Sequence, residues 1–336
     1  MTLELFAGIG FFLPLILKLN KSHEVSFFRV IPRRAQCFSV VSNFEMFERL
    51  ASLNSFSKTS LLDFFSETYE FKQAVLKSGW SQFESPKKKL ITQIFFEPST
   101  RTRVSFELAA QRLGLRFSHF QMDDSTSMAK GESISDSLKV FESLNPDLII
   151  FRSKSDEGLN QFFKDTKIPF VCAGLGHESH PTQALLDMFT LYEIYKNQIC
   201  DLKILFVGDT KFSRVFGSHM ELSKILGSKI SQCSDGSHGH QDIKNEEDMD
   251  DAISKADVVI RLRTQKERGS ILKGDQFKIQ DQHLYKNKIH LMHPGPFLRG
   301  EDFESHLPEH KKSLIWKQKE NGLYIRAMIY RKIWSF

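Results

Sequence analysis

The sequence predicts an α/β fold with two doubly wound parallel-sheet domains joined by a buried interdomain helix. Three observations carry that expectation. From Phe95 onward, short apolar runs alternate with stretches of helical periodicity, the pattern of βαβ units whose strands run parallel. Between Thr182 and Asn197, residues Ala184, Leu185, Leu186, Met188, Phe189, Leu191, Ile194 and Tyr195 put apolar groups on nearly every side of a helix. A helix of that kind is covered by other layers, so it reads as the connector between two units. The chain has 336 residues, 40% hydrophobic and 26% charged, an ordinary globular composition with room for two compact domains. The expected bounds are residues 43–190 for the first domain and 191–311 for the second, with residues 312–336 packing back on the first.

The elements follow in chain order. Residues 1–42 read as a poorly ordered extension or a segment upstream of the true start, with the folded unit beginning near Asn43 to Met46. Its apolar run Leu5 to Leu17 is interrupted by Pro14 and is shorter than the roughly 20 residues a bilayer requires. Glu4 precedes that run and Lys18 and Lys21 follow it, the reverse of a secretory signal, while Arg29 to Arg34 carries only a weak transit-peptide flavour. A strand is expected at Leu90 to Phe96, then a helix from about Thr102 to Leu113 that closes on Gly114. A second helix, Ser133 to Leu144, aligns Ile134, Leu138, Phe141 and Leu144 on one face, and strands follow at Leu148 to Phe151 and Pro169 to Cys172. Pro181 suits the first turn of the connecting helix Thr182 to Asn197. The second unit starts with the strand Lys203 to Val207 and a helix around Ser213 to Leu226 stopped by Gly227. The polar stretch Ser231 to Asp251 is expected mostly at the surface, with a short helix near its end. Strands at Val258 to Leu262 and Ile289 to Met292 complete the unit, and Lys312 to Trp334 has helical character. There is no internal repeat.

Composition narrows the chemistry. The net charge of +5 is spread along the chain rather than massed, which favours small anions over nucleic acid, and no membrane segment is expected. The 31 Phe lie in apolar runs and are read as core. Cys37, Cys172, Cys200 and Cys233 form no CxxC pair and no Cys/His cluster, so no metal, no cofactor and no disulfide framework is expected, and a reducing cytoplasmic setting fits.

The segment FFEPSTRTRVSFE, Phe95 to Glu107, is the most informative. An apolar run stops at Pro98 and turns into Ser99-Thr100-Arg101-Thr102 at a helix start, where unpaired N–H groups and the macrodipole favour an anion. Arginines there oppose the dipole, so they imply a bound anion that compensates. Ligands in open α/β sheets bind beyond the carboxyl ends of the strands. The other strand ends carry Arg152, then His180 with Gln183, Arg214, Arg263 with Gln265, and His293-Pro294-Gly295-Pro296. No carboxylate pair, Ser/His/Asp set or reactive cysteine stands out, so covalent catalysis lacks a candidate. The inventory suits two anionic substrates, one with a phosphate and one with carboxylates, held together while an oxyanion develops.

In order between about Leu90 and Pro296, the segments FFEPSTRTRVSFE, STSMAKGES, HPTQALLD, VGDTKFSRV, RLRTQKERG and HPGP resemble aspartate carbamoyltransferase catalytic chains of the aspartate/ornithine carbamoyltransferase family. The resemblance implies transfer of the carbamoyl group from carbamoyl phosphate to L-aspartate, the committed step of pyrimidine synthesis. It puts the phosphate on Ser99, Thr100, Arg101 and Thr102, with Arg152 also contacting carbamoyl phosphate. Thr102, Arg152 and His180 would polarise the carbonyl oxygen; Gln183 and the backbone around Pro294 and Gly295 would hold the carbamoyl NH2. Arg214 and Arg263, assisted by Gln265, would pair with the aspartate carboxylates. On composition Asp124 to Ser133 is a solvated loop, whereas the family uses Ser127 and Lys130 to reach a neighbouring subunit's site, which implies a homotrimer with shared active sites. A regulatory chain or a dihydroorotase is a further possible partner.

Three rival readings stand beside this one. Ornithine carbamoyltransferases share the STRT and HPxQ pieces but typically carry His-Cys-Leu-Pro where this chain has His293-Pro294-Gly295-Pro296. A nucleotide-binding oxidoreductase is suggested by Phe206-Val207-Gly208-Asp209, without the GxGxxG it needs. A catalytically silent assembly subunit would not need every principal position occupied. Two departures from the family pattern flank the site: Leu175 in Ala173-Gly174-Leu175-Gly176, and Ser153 after Arg152.

Overall fold

The computed structural model describes residues 45–122, 131–156, 159–176, 179–235, 237–263 and 274–336. The expectation for residues 1–42 lies outside them. Two all-parallel sheets carry the architecture. The chain enters through the one-turn helix α1 (Glu45–Glu48), the short strand β1 (Arg49–Leu50) and the helix α2 (Lys58–Ser78). Ser57 and Ser60 exchange side chain to backbone hydrogen bonds in a capping box that starts α2. Its buried Leu61, Phe64, Phe65, Thr68, Phe71 and Val75 recur at helical spacing. Sequence reading had no expectation for this helix.

The first sheet then builds through β2 (Leu90–Phe95), α3 (Thr100–Arg112), β3 (Arg116–Gln121), α4 (Ile134–Ser143), β4 (Leu148–Ser153), α5 (Leu159–Asp165) and β5 (Phe170–Leu175). Its strand order is β1-β5-β4-β2-β3. β2 is buried on both faces, as a central parallel strand covered by helices must be. β3 and α5 escaped the sequence reading. β3 is an edge strand of mixed polarity, RFSHFQ, and shows no continuous apolar run. Leu144, expected on the buried face of α4, is 70% exposed because the helix ends at Ser143 and Leu144 is its cap.

α6 (Pro181–Tyr195) is the connector, buried on almost every side as its sequence predicts. The second sheet follows through β6 (Lys203–Gly208), α7 (Arg214–Leu226), β7 (Lys229–Cys233), α8 (Met249–Lys255), β8 (Val258–Leu262), α9 (Asp281–Lys286) and β9 (His290–Met292), in the order β7-β6-β8-β9. The stretch expected at the surface from Ser231 contains the end of β7, and Gln232, Cys233, Ser234 and His238 are buried. Polar side chains mask the strand because they pair internally: Gln232 Nε2 donates to the carbonyls of His240 and Ile243.

α10 (Ile315–Trp334) packs on α6, α3 and α2 and also meets β9. One apolar core therefore runs through α6 and α10 from Ile91 and Phe95 of the first sheet to Ile204, Phe206 and Ile260 of the second. Among the described residues, no helix is long and apolar enough to cross a membrane.

Candidate active site

The segment Phe95 to Glu107 folds as a strand end and a helix start, and the helix begins two residues earlier than its sequence suggests. Ser99 is the N-cap of α3 and Thr100 and Arg101 are already helical. The Ser99 side chain makes no capping hydrogen bond, so it does not occupy the first-turn N–H groups of α3. Thr102 is buried beneath them, whereas Arg101 is open to solvent on one side. Partial burial and then the nearby Arg263 guanidinium pull Arg101 below the usual arginine range. Two cations from different sheets therefore face one another, which an anion between them would relieve.

Arg152 lies inside β4 rather than beyond it. The β4–β5 register shifts between Phe151 and Ser153, and such an irregularity re-aims the residue it contains. Arg152 Nε sits 2.6 Å from Glu97 Oε1, and its Nη1 donates to Ala173 O at 2.9 Å. Arg214, from the first turn of α7, donates through Nη2 to the same Glu97 oxygen. A side chain on Gly174 would come within 2.9 Å of Arg152 Nη1 and 3.0 Å of Arg214 Nη1, which fixes both guanidiniums over the end of β5. Arg214 Nη1 is buried and has no hydrogen-bond partner among the described residues. Cys172 lies below this point, and burial pushes its thiol up to about 12, so it is no nucleophile.

His180 is the N-cap of α6, and its N–H donates to Ser218 Oγ at 2.8 Å, on the turn of α7 that follows Arg214. One turn into α6, Gln183 Nε2 donates to Asp187 Oδ1 at 2.8 Å. Asp187 is fully buried and also accepts from Gln318 Nε2 of α10 at 2.8 Å and His219 Nε2 of α7 at 3.1 Å. Gln318 in turn accepts the His293 N–H at 2.9 Å. The connector, the second sheet and the C-terminal helix thus meet at one carboxylate that fixes the Gln183 amide.

His293-Pro294-Gly295-Pro296 follows β9 as a tight turn, with Gly295 at φ +83° and a cis Gly295–Pro296 bond. The Gly295 N–H donates to His293 Nδ1 at 2.9 Å, which leaves the proton on Nε2, 3.6 Å from Asp302 Oδ2. Complete burial drops His293 to about 4, outweighing Asp302. The backbone at Gly295 is near Arg101, whose Nε would lie 3.3 Å from a Gly295 Cβ.

The structure therefore gathers Arg152 and Arg214 around Glu97 and Gly174, sets His180 against Ser218 of the helix that carries Arg214, and brings Arg101, Arg263 and Gly295 together around the start of α3. Among the described residues, no side-chain hydrogen bond or ion pair ties Ser99, Thr100 or Thr102 to either group. Ser127, Lys130 and Gln265 lie outside the described residues. Sequence reading missed Glu97, Gly174, Asp187 and Gln318. Glu97 stands inside FFEPSTRTR, and its one signal was a carboxylate beside a strand end otherwise rich in cations.

Comparison with known proteins gives one family. Residues 48–193 match the profile "Aspartate/ornithine carbamoyltransferase, carbamoyl-P binding domain", and residues 200–331 match "Aspartate/ornithine carbamoyltransferase, Asp/Orn binding domain". The chain is 37% identical to an aspartate carbamoyltransferase catalytic subunit of Aquifex aeolicus over 295 residues, 82% of this chain and 99% of that one. It is also 37% identical to the one of Oceanobacillus iheyensis over 258 residues, 72% of this chain and 81% of the relative. The aspartate transcarbamoylase catalytic subunit of M. jannaschii superposes with a TM-score of 0.74 at 28% identity, covering 86% of this chain and 98% of that one. An ornithine carbamoyltransferase from Pyrococcus furiosus shares the fold at TM-score 0.73 and 24% identity, covering 84% of this chain and 96% of its own.

Proposed function

The chain belongs to the aspartate/ornithine carbamoyltransferase family, and from that premise we propose that it transfers the carbamoyl group of carbamoyl phosphate to L-aspartate, giving N-carbamoyl-L-aspartate and phosphate in pyrimidine biosynthesis. Residues 43–190 carry the carbamoyl phosphate half of the site and residues 191–311 the aspartate half. The phosphate takes the first turn of α3, with Ser99, Thr100, Arg101 and Thr102 as donors and Arg152 as a second arginine contact. The amine nitrogen of aspartate attacks the carbonyl carbon, and negative charge gathers on the carbonyl oxygen, where Thr102, Arg152 and His180 stabilise it. The carbon–oxygen bond to phosphate then breaks, and the departing phosphate takes up the amine proton. Gln183, fixed by Asp187, and the Pro294–Gly295 backbone orient the carbamoyl NH2.

The observation that carries this reading is the buried pair Arg152 and Arg214 on Glu97, drawn from two sheets. Arg214 already grips one carboxylate in a dry site, and its Nη1 remains to bind another. A dicarboxylate acceptor needs a second cation, which Arg263 supplies, with Gln265 and Lys130 assisting; ornithine offers only one carboxylate. The two closely related curated sequences named above are both aspartate enzymes, whereas the shared fold does not choose the acceptor. A colorimetric carbamoyl-aspartate assay on the purified chain, run beside ornithine as acceptor, tests the proposal. Activity with ornithine alone overturns it.

The assembly proposed is a homotrimer in which Ser127 and Lys130 enter the neighbouring site. Exposed Val104 and Leu108 on one face of α3, with Phe120 of β3 and Val140 of α4, offer apolar surface of the kind an interface covers. A cytoplasmic location agrees with free, buried Cys172, Cys200 and Cys233.

A further inference from the structure

Lys319 is a cation that neither the strand-end reading nor the proposed mechanism uses. It projects from the second turn of α10, and two of its three N–H donors go to the carbonyls of His293 and Pro294, both at 2.8 Å. Its Nζ would lie 3.2 Å from a Cβ on Gly295, and Arg101 Nε would lie 3.3 Å from the same point. Gly295 is therefore a thin partition between an ammonium and the proposed phosphate-binding guanidinium, and a positive φ of +83° reserves that position for glycine.

Two cations held this close repel unless an anion joins them. The groups that face Lys319 are Arg101 of α3, Asp187 of α6 and His293 after β9. Burial, partly offset by Asp187 and reinforced by Arg101, brings the Lys319 ammonium down to about 8. His293 is held neutral over the same pH range and supplies no counter-charge.

We propose that Lys319 is a further substrate-positioning residue, which locks the His293–Pro294–Gly295 turn against α10 and adds its charge to Arg101 at the anion pocket. The proposal rests on the phosphate role assigned to Arg101 above. Its physical logic is preorganisation: a turn whose carbonyls are already tied to an ammonium keeps the Gly295 backbone aimed at the substrate, and the third N–H donor remains for an oxygen of the incoming anion. Protonation of Lys319 then couples to anion binding, because a bound phosphate raises the ammonium's pKa and the deprotonated amine binds the anion less well.

The test uses full-length protein and the variants Lys319→Met, which keeps the length and removes the charge, and Lys319→Arg, which keeps the charge at all working pH. Inorganic phosphate is titrated calorimetrically into each at pH 7 and pH 9, and the KM for carbamoyl phosphate is followed over the same range. The expected wild-type affinity falls severalfold between the two pH values beyond what the probe's own ionisation gives in Lys319→Arg. Lys319→Met should bind weakly at both, with KM raised roughly tenfold and kcat reduced less. Lys319→Arg should recover the binding without the extra pH dependence. Wild-type binding and pH dependence in Lys319→Met overturn the proposal, as does failure of Lys319→Arg to bind better than Lys319→Met when both melt like wild type. Absence of carbamoyl transfer by the wild type, with phosphate binding still sensitive to Lys319, would instead overturn the functional reading and leave this one standing.

Discussion

Arg152 Nε lies 2.6 Å from Glu97 Oε1, a buried ion pair formed where the first sheet meets the second, because Arg214 of α7 donates to the same oxygen. Glu97 sets the spacing of two guanidiniums that would otherwise repel. Removing it leaves buried positive charge uncompensated, which typically costs about 3–5 kcal/mol. Glu97→Ala should therefore lower the urea midpoint by the equivalent of about 3 kcal/mol and cut kcat/KM at least 10²-fold. Glu97→Gln keeps the shape and should lose less stability than activity. Equal losses of both in Glu97→Gln would show that the carboxylate only holds the fold.

Gly174 makes a second, steric demand at the same point. Its φ of +129° disfavours any side chain, and a Cβ would stand 2.9 Å from Arg152 Nη1 and 3.0 Å from Arg214 Nη1. Gly174→Ala should cost about 1–3 kcal/mol of stability. Because it displaces one arginine assigned to each substrate, it should raise both KM values. A change confined to the aspartate KM would place the displacement on Arg214 alone.

Most of the scaffold is legible in the sequence because parallel strands buried on both faces leave continuous apolar runs. β2, β6 and β8 have them and were recognised. β3 and β7 are edge strands with polar side chains, RFSHFQ and KISQC, and no pattern separates them from loops until their neighbours are known. Arginines and the histidine of the site stood out for the same physical reason: cations at strand ends are costly unless something anionic is present. Glu97 and Asp187 did not, because a lone carboxylate is unremarkable until the fold shows two guanidiniums on the first and two amides and an imidazole on the second. Gln318 lies 131 residues from Asp187 in sequence, beyond the reach of any spacing argument.

His293 makes the fold sensitive to acid. Burial holds it near 4, below the 6.5 of an exposed histidine, so the unfolded chain takes up a proton that the native state refuses. Its contribution to stability is full above pH 6.5 and is lost as pH falls from 6.5 towards 4. The full loss is on the order of 3 kcal/mol. Asp302, pulled below the usual carboxylate range by His293 and Arg261 against the cost of burial, gives way only at lower pH. Urea midpoints measured from pH 7.5 to 4.5 should fall in the wild type, and the fall should be visibly shallower in His293→Gln. Parallel curves would assign the acid sensitivity to other groups.

The trimer proposal makes a quantitative prediction. If Arg101 of one subunit and Lys130 of its neighbour build a single site, then Arg101→Ala and Lys130→Ala chains are each nearly inactive alone. The first should lose roughly 10²-fold or more, because a charge-assisted contact in a dry site is worth several kcal/mol. When the two are unfolded together in equal amounts and refolded, trimers assemble at random. An intact site then requires a Lys130→Ala chain to provide Arg101 and an Arg101→Ala chain to provide Lys130. Half of each side qualifies, so about a quarter of the sites are whole and about a quarter of wild-type activity should return. Complementation at that level requires the sites to be shared between chains. Activity that stays at the sum of the two separate variants means each site belongs to one chain, and the role of Lys130 is then lost even if light scattering reports a trimer.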